Sequence, residues 1–164
     1  MEGRKVWVTF VGESPPAVYN PVWAAFKKGM FTPNVFYLLH TEKTEENAKK
    51  VAEVIKRICK EYGDIEEPEI FMELVGEEDF NAIFRRPVEI IKEEVERGAE
   101  VAIDITPGRK YMSAALLIAA KIPGVKHAFY LHLKDMSFRD VDYPQIPMKV
   151  QEFHDLLKIV EGML

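Results

Sequence analysis

Apolar and polar positions along this chain switch between two periods. Val6–Val11 (VWVTFV) is a continuous β-rich run closed by Gly12-Glu13-Ser14-Pro15-Pro16, and a short helix is predicted over Val22–Met30. Val35–His40 (VFYLLH) is a second apolar run, too short for an ordinary helix. Thr44–Tyr62 has helical spacing instead, with Val51, Ile55, Ile58, Cys59 and Tyr62 at offsets of four, seven, eight and eleven. Thr44 with Asn47 starts that helix, and Gly63 is placed to follow its end. Glu69–Val75, Glu100–Ile105 and Val125–Leu133 supply three more strands. Glu78–Arg97 contains Pro87, which lacks an N–H and clashes with the preceding turn. A short turn to Phe84 and a separate helix from Arg86, followed by Gly98, are therefore expected. Lys110–Lys121 is a helix that is apolar nearly all round, with Ser113 as its polar exception. One edge strand is expected near Ser137–Val141, and Met148–Met163 reads as a terminal amphipathic helix through Val150, Phe153, Leu157 and Val160.

Strands alternating with helices predict an α/β fold. The expected form is a Rossmann-like, doubly wound and mainly parallel sheet of five to six strands with helices on both faces. The apolar strands agree, because parallel strands are covered on both sides. The helix at Lys110–Lys121 must then be buried twice, by the sheet and by something else such as a second subunit. In such sheets ligands bind beyond the carboxyl ends of the strands, where strand order reverses. The segments after the first and fourth strands are therefore the places to look.

Length and charge narrow the function. The 164 residues, 48% hydrophobic and 30% charged, fit one soluble globular domain spanning residues 1–164. A net charge of −5 argues against gripping long DNA or RNA, which needs a broad basic surface. It leaves room for a small anion held by a local donor cluster. Cys59 is the only cysteine, and its place on an apolar helix face makes it a buried structural thiol. The lack of a long apolar run or a signal-peptide layout points to the cytoplasm, with no membrane partner. Two Gln and four Asn beside many Glu and Lys fit a thermophile source.

The segment after the fourth strand, Asp104-Ile105-Thr106-Pro107-Gly108-Arg109-Lys110, runs straight into a helix. Free N–H groups there carry partial positive charge. Gly108 lets backbone approach a ligand, Thr106 caps or donates, and Arg109 and Lys110 add cations at the helix end where cations are disfavoured. An anion relieves that conflict, so a phosphate site is one reading. Ordinary strand-to-helix turn chemistry with two solvated cations is the other. There is no dinucleotide or P-loop glycine fingerprint, and the histidines lack metal-ligand spacing, so no cofactor or metal is expected. His40, His132, Asp104 and Ser14 lie at strand ends, but Pro15 follows Ser14 and no nucleophile elbow exists, which disfavours a Ser/His/Asp hydrolase. His127 reads as structural and His154 as exposed on the last helix. Arg85-Arg86 reads as an exposed basic pair, Phe84 as core, and Tyr19 and Tyr111 as flanking the site. The run FRDVDYP is placed to cover it.

The Asp104-x-Thr106-x-x-x-Lys110 segment, with Gly108 inside it, resembles the second signature of the CARF domain, the CRISPR-associated Rossmann fold. VTFVGESPPAVYNPVWAAF resembles that family's first signature, a strand followed by Gly-x-Ser-Pro and a helix. The resemblance implies a two-fold homodimer that binds cyclic oligoadenylate, a ring-shaped RNA second messenger, in a pocket spanning both subunits. It places Gly12 and Ser14 in the first loop, and Thr106, Gly108, Arg109 and Lys110 on ribose-phosphate, with Asp104 also among the ligand-binding residues. A two-fold arrangement also suits a symmetric ring physically, since one subunit has one such helix end and a dimer has two. Many members carry a C-terminal effector, and this chain stops after one expected helix. A stand-alone sensor (with or without a separate effector subunit), a ligand sponge and a ring nuclease all remain open. The last would cleave without metal, through attack of a ribose 2′-hydroxyl on the adjacent phosphate, with Lys110 and Ser14 as catalytic residues. The competing readings are a Rossmann-like interaction module and a mononucleotide-binding protein of flavodoxin type.

Overall fold

The computed structural model describes residues 3–163. The strands are β1 (Lys5–Phe10), β2 (Val35–His40), β3 (Glu69–Leu74), β4 (Glu100–Asp104), β5 (Val125–Leu133) and β6 (Gln151–Asp155). They form one sheet of order β3-β2-β1-β4-β5-β6. All pairs are parallel except β5 with β6. The doubly wound α/β expectation holds, with six strands. Helices α1 (Pro15–Lys27) and α2 (Glu45–Gly63) cover one face, over a core of Trp7, Phe36, Leu38 and Phe129. Helices α3 (Phe80–Glu96) and α4 (Lys110–Ala119) cover the other, over Val8, Phe10, Leu39 and Ile103. Strands β1 and β2 are buried along nearly their whole length, as central parallel strands should be.

Three helices differ from expectation. Helix α1 starts at Pro15 rather than Val22, because proline suits the first turn, where amides lack intrahelical acceptors. Pro21 then removes only one internal donor. Helix α3 runs unbroken through Pro87 instead of starting at Arg86. The lost hydrogen bond is offset by the burial of Ile83, Pro87, Ile90 and Ile91 on one face. Gly63 lies inside α2, and Asp64 takes the left-handed position after it (φ 53°). A Cβ on Gly63 would stand 2.5 Å from the Phe26 ring, so this glycine serves helix packing rather than the turn. Gly98 does follow α3 with positive φ, as expected.

The C-terminal segment is the largest correction. Residues 137–141 form no strand; a 3-10 turn at Met136–Phe138 leads into irregular chain. Met148–Met163 is not one helix. A 3-10 turn at Met148–Val150 leads into β6, then the short α5 (Leu156–Ile159). Phe153 stacks on Phe129 with ring centroids 4.8 Å apart, a non-local contact that a helical spacing cannot reveal. Cys59 is fully buried, as expected, and burial pushes its thiol up to about 12. Helix α4 packs Met112, Ala115, Leu116 and Ala119 inward but leaves Leu117 and Ile118 exposed. Among the described residues, no helix is long and apolar enough to cross a membrane.

Candidate functional site

Strand order reverses between β1 and β4, which pair with Thr9 opposite Asp104. The chains leaving these two strands diverge to opposite faces and open a crevice. A cavity of about 940 Å³ lies there. Its walls are the loops after β1, β2, β3 and β4, the end of β5 and the segment carrying Met136 and Arg139.

The β4–α4 loop is built on Asp104, which is fully buried. Its carboxylate accepts the Thr106 hydroxyl at 2.9 Å and the Thr106 N–H at 3.3 Å. Burial pushes the Asp104 carboxyl well above the carboxylate range, against the opposing pull of those two bonds. The Thr106 hydroxyl oxygen in turn accepts the Leu131 N–H at 2.9 Å, fastening the loop to β5. Asp104 is thus a support beneath the cavity and does not line it, whereas Thr106 does. Gly108 has φ +91°, and a Cβ on it would crowd Met112 and Phe10. At the start of α4, Met112 and Ser113 both donate to the Arg109 carbonyl. The N–H groups of Gly108, Arg109, Lys110 and Tyr111 make no hydrogen bond within the described chain. Four adjacent amides therefore remain at a helix N-terminus, an arrangement suited to an anion.

The β1–α1 loop is different in kind. Ser14 precedes α1, and the first two helical positions are Pro15 and Pro16, which have no N–H. Ala17 N–H is bonded to the Ser14 carbonyl at 3.1 Å. This helix end offers its side chain, not its amides. The Asn47 amide of α2 steadies the loop by donating to the Gly12 and Glu13 carbonyls, each at 3.1 Å. The Ser14 hydroxyl donates to Asp140 Oδ1 at 2.8 Å, with the Arg139 carbonyl at 3.2 Å.

Of the residues singled out in the sequence, Gly12, Ser14, Thr106, Gly108 and Arg109 line the cavity together. Lys110 is exposed in the first turn of α4, outside the lining, and makes no ion pair among the described residues. Arg109 is paired with Glu77, which also holds Lys43 at 3.3 Å. Ser14 pairs with Asp140 rather than a histidine, and His40 is buried with Nδ1 2.9 Å from the Thr41 carbonyl. A Ser/His/Asp triad is not assembled. His132 lines the cavity, while His127 pairs with Asp155 at 2.6 Å. His154 lies on β6, not on a helix, 3.4 Å from Glu152. Tyr19 donates to Asp142 and Tyr111 to the Glu77 carbonyl, so both hydroxyls are engaged. Arg86 is not a free basic residue: it makes a bidentate pair with Glu73, both bonds 2.7 Å. Among the described residues, no cluster could hold a metal ion.

The family described as "CRISPR-associated protein (Cas_APE2256)" matches residues 17–141, well over half the sequence. The chain belongs to this family. It is a CARF-type member, and the two segments likened to that family's signatures follow β1 and β4. Solved structures with the same fold include Enterococcus italicus Csm6 bound to cyclic hexa-2'-fluoro-hexa-dAMP (TM-score 0.68, 17% identity, covering 99% of this chain and 45% of that one). Another is a type III CRISPR defence DNA nuclease activated by cyclic oligoadenylate (TM-score 0.58, 21% identity, 82% and 19%). A third is Can2 from Sulfobacillus thermosulfidooxidans in complex with cyclic tetra-adenylate (TM-score 0.52, 16% identity, 82% and 33%). The chain spans less than half the length of each. No curated protein sequence matches it.

Several cavity residues of this CARF-type chain were not singled out as binding residues in the sequence. Lys43, Asn47, Glu77, Tyr130 and Arg139 arrive from four other segments. Tyr130 had a readable signal, standing two residues before His132 at the end of a strand next to β4. Glu77 and Lys43 had none, being ordinary charged loop residues until the fold brings them to Arg109.

Proposed function

We propose that this chain binds a cyclic oligoadenylate second messenger of type III CRISPR signalling in the cavity at the β1/β4 switch point, across a two-fold homodimer. The observation that carries this reading is the row of four unbonded amides from Gly108 to Tyr111 at the start of α4, the first two on cavity-lining residues, in a CRISPR-associated fold. Each α4 end suits one ribose-phosphate, and a second copy brings a second end. Leu117 and Ile118, exposed on α4, give apolar surface for that pairing. Thr106 and Arg109 contact the ligand from the β4 side, and Gly12 and Ser14 contact it from the β1 side. Lys110 reaches in from the first turn of α4 when the ring is bound.

The same groups support slow ring opening. A ribose 2′-hydroxyl attacks the adjacent phosphorus, the bond to the 5′-oxygen breaks, the hydroxyl's proton ends on that oxygen as a 5′-hydroxyl, and a 2′,3′-cyclic phosphate end results. The protein's part is to hold the hydroxyl in line, through Ser14, and to stabilise charge on the phosphorane, through Lys110 and the α4 amides. Calorimetry with cyclic tetra-adenylate and cyclic hexa-adenylate tests the binding claim, with micromolar or tighter affinity expected for one ring size. No binding of either ring at micromolar concentration would overturn it and leave the interaction-module reading. Product analysis in the presence of EDTA tests the cleavage claim separately.

A further inference from the structure

Beside the cavity, the segment Asp135–Asp140 is hydrogen-bonded to a body side chain at one point, Ser14. Its amide bonds are internal turns: Phe138 N–H to Asp135, Arg139 N–H to Met136, and Ser137 to the Asp135 side chain. Among the described residues, the Val141 N–H ties back to the Phe138 carbonyl at 3.1 Å, and the one body side chain that hydrogen-bonds the segment is Ser14, whose hydroxyl has Asp140 Oδ1 at 2.8 Å and the Arg139 carbonyl at 3.2 Å as alternative acceptors. The flanks are fixed independently. Lys134 N–H is bonded to the Val150 carbonyl at 2.7 Å. On the other side Asn20 donates to the Val141 carbonyl and accepts the Tyr143 N–H, both at 2.9 Å. Tyr19 holds Asp142 as well. The segment is therefore a strap clamped at both ends and latched in the middle.

The latch occupies a contact that the ligand needs. A hydroxyl has one proton to donate, and the Ser14 proton is committed to a carboxylate. A phosphate oxygen, also only an acceptor, can take that proton only if Asp140 leaves, and two anions at one hydroxyl repel each other. Arg139 has the opposite charge, lines the cavity and makes no ion pair among the described residues. We propose that Asp140 is a resident anion that latches the strap onto Ser14. On this view a ligand phosphate displaces it, the main chain of Asp135–Asp140 lets go, and the Arg139 guanidinium takes up the phosphate. Ligand occupancy would thereby be reported as release of a surface strap between two fixed clamps. This rests on the anionic-ligand reading above.

The test uses the whole chain and the variants Asp140→Ala and Asp140→Asn. Asp140 is exposed, so neither variant disturbs the core. Both substitutions remove the acidic residue beside the scissile bond, but only Asp140→Ala removes the acceptor of the Ser14 hydroxyl, so without ligand trypsin should cut after Arg139 several-fold faster in Asp140→Ala than in Asp140→Asn. With cyclic tetra- or hexa-adenylate, Asp140→Ala should bind about tenfold tighter than wild type, because the binding-competent state no longer has to be unlatched. In wild type, deuterium uptake across Asp135–Asp140 should rise when the ring binds. Equal tryptic cleavage of the two variants, or an Asp140→Ala protein that binds the ring no tighter than wild type, would overturn the latch. If neither wild type nor variant binds a ring, the functional reading fails, and the ligand-free trypsin comparison still decides whether Asp140 holds the strap.

Discussion

Gly12 and Gly108 bring the two cavity loops into backbone contact: a Cβ on Gly12 would lie 3.0 Å from the Gly108 amide nitrogen and 3.5 Å from its Cα. No flexible side chain stands there to move aside. The contact lets the β1 loop lean on the β4 loop without covering the amides that follow it.

Gly12→Ala should therefore cost stability and binding together. The extra methyl pushes on backbone, and overpacking of that kind costs about 1–3 kcal/mol. It also intrudes on the first of the four unbonded amides, so affinity for the cyclic ligand should fall further than stability alone explains. Urea unfolding and calorimetry on the same preparation separate the two. A variant as stable as wild type would show that the loops can part freely.

Lys110→Ala should act on binding and leave stability alone. Its side chain makes no ion pair among the described residues and lies outside the cavity lining, so folding should change within about 0.5 kcal/mol, as for ordinary surface positions. Affinity for the ring should fall roughly ten- to a hundredfold, the span for hydrogen bonds to a charged group. Affinity unchanged within error would remove Lys110 from the site and leave Arg109 as the phosphate-facing cation of this loop.

Asp104→Asn tests the support beneath Thr106. Burial raises the Asp104 carboxyl, so its contribution to stability is fully present below the usual carboxylate value and is lost as pH rises through the raised one. The stability advantage of wild type over the variant should therefore shrink from acid toward neutral pH. The asparagine oxygen still accepts one of the two Thr106 donors, and the Leu131 N–H bond to the Thr106 hydroxyl oxygen remains. Parallel stability curves for the two proteins from pH 4 to pH 8 would mean that Asp104 does not titrate in that range.

What was legible in the sequence was local. Gly108 followed by Arg109 and Lys110 after an apolar strand announces a loop that enters a helix, and β1 with Gly12 and Ser14 announces its counterpart. The sheet followed from apolar runs alternating with helical spacing. What was hidden depended on contacts between distant residues. Glu77 joins the site because it pairs with Arg109, which lies 32 positions later. Asp140 joins it through Ser14, 126 positions away. Val150, Phe153, Leu157 and Val160 satisfy a helical period, yet pairing with β5 outweighs it. Pro15, Pro16 and Pro87 look like breaks in the sequence, although a first turn has amides to spare and a buried helix face can outweigh one missing donor.

The C-terminal correction yields the last prediction, because Asp155 is what makes β6 a strand end and α5 a helix start. It is 6% exposed, and its Oδ2 lies 2.6 Å from His127 Nδ1. Its Oδ1 accepts the Ala128 N–H at 3.1 Å and the Leu157 N–H at 3.2 Å. Burial alone would raise this carboxyl, but the His127 ring and the two amides outweigh it and hold the group below the ordinary carboxylate value. Its stabilisation is therefore present above the unfolded value and is lost as pH falls through the folded one. Asp155→Ala leaves the ring and both amides without their acceptor and should cost about 2–3 kcal/mol at neutral pH, in the range of hydrogen bonds to an ionised group. Trp7 stacks on Phe129, which neighbours His127 on β5, so its fluorescence reports the loss during urea unfolding. Wild type should lose its advantage over the variant below about pH 4, where the unfolded carboxyl takes up its proton. A cost under about 1 kcal/mol, within reach of one ordinary hydrogen bond, would mean that the β5–β6 pairing and the Phe129–Phe153 stack hold this edge without the carboxylate.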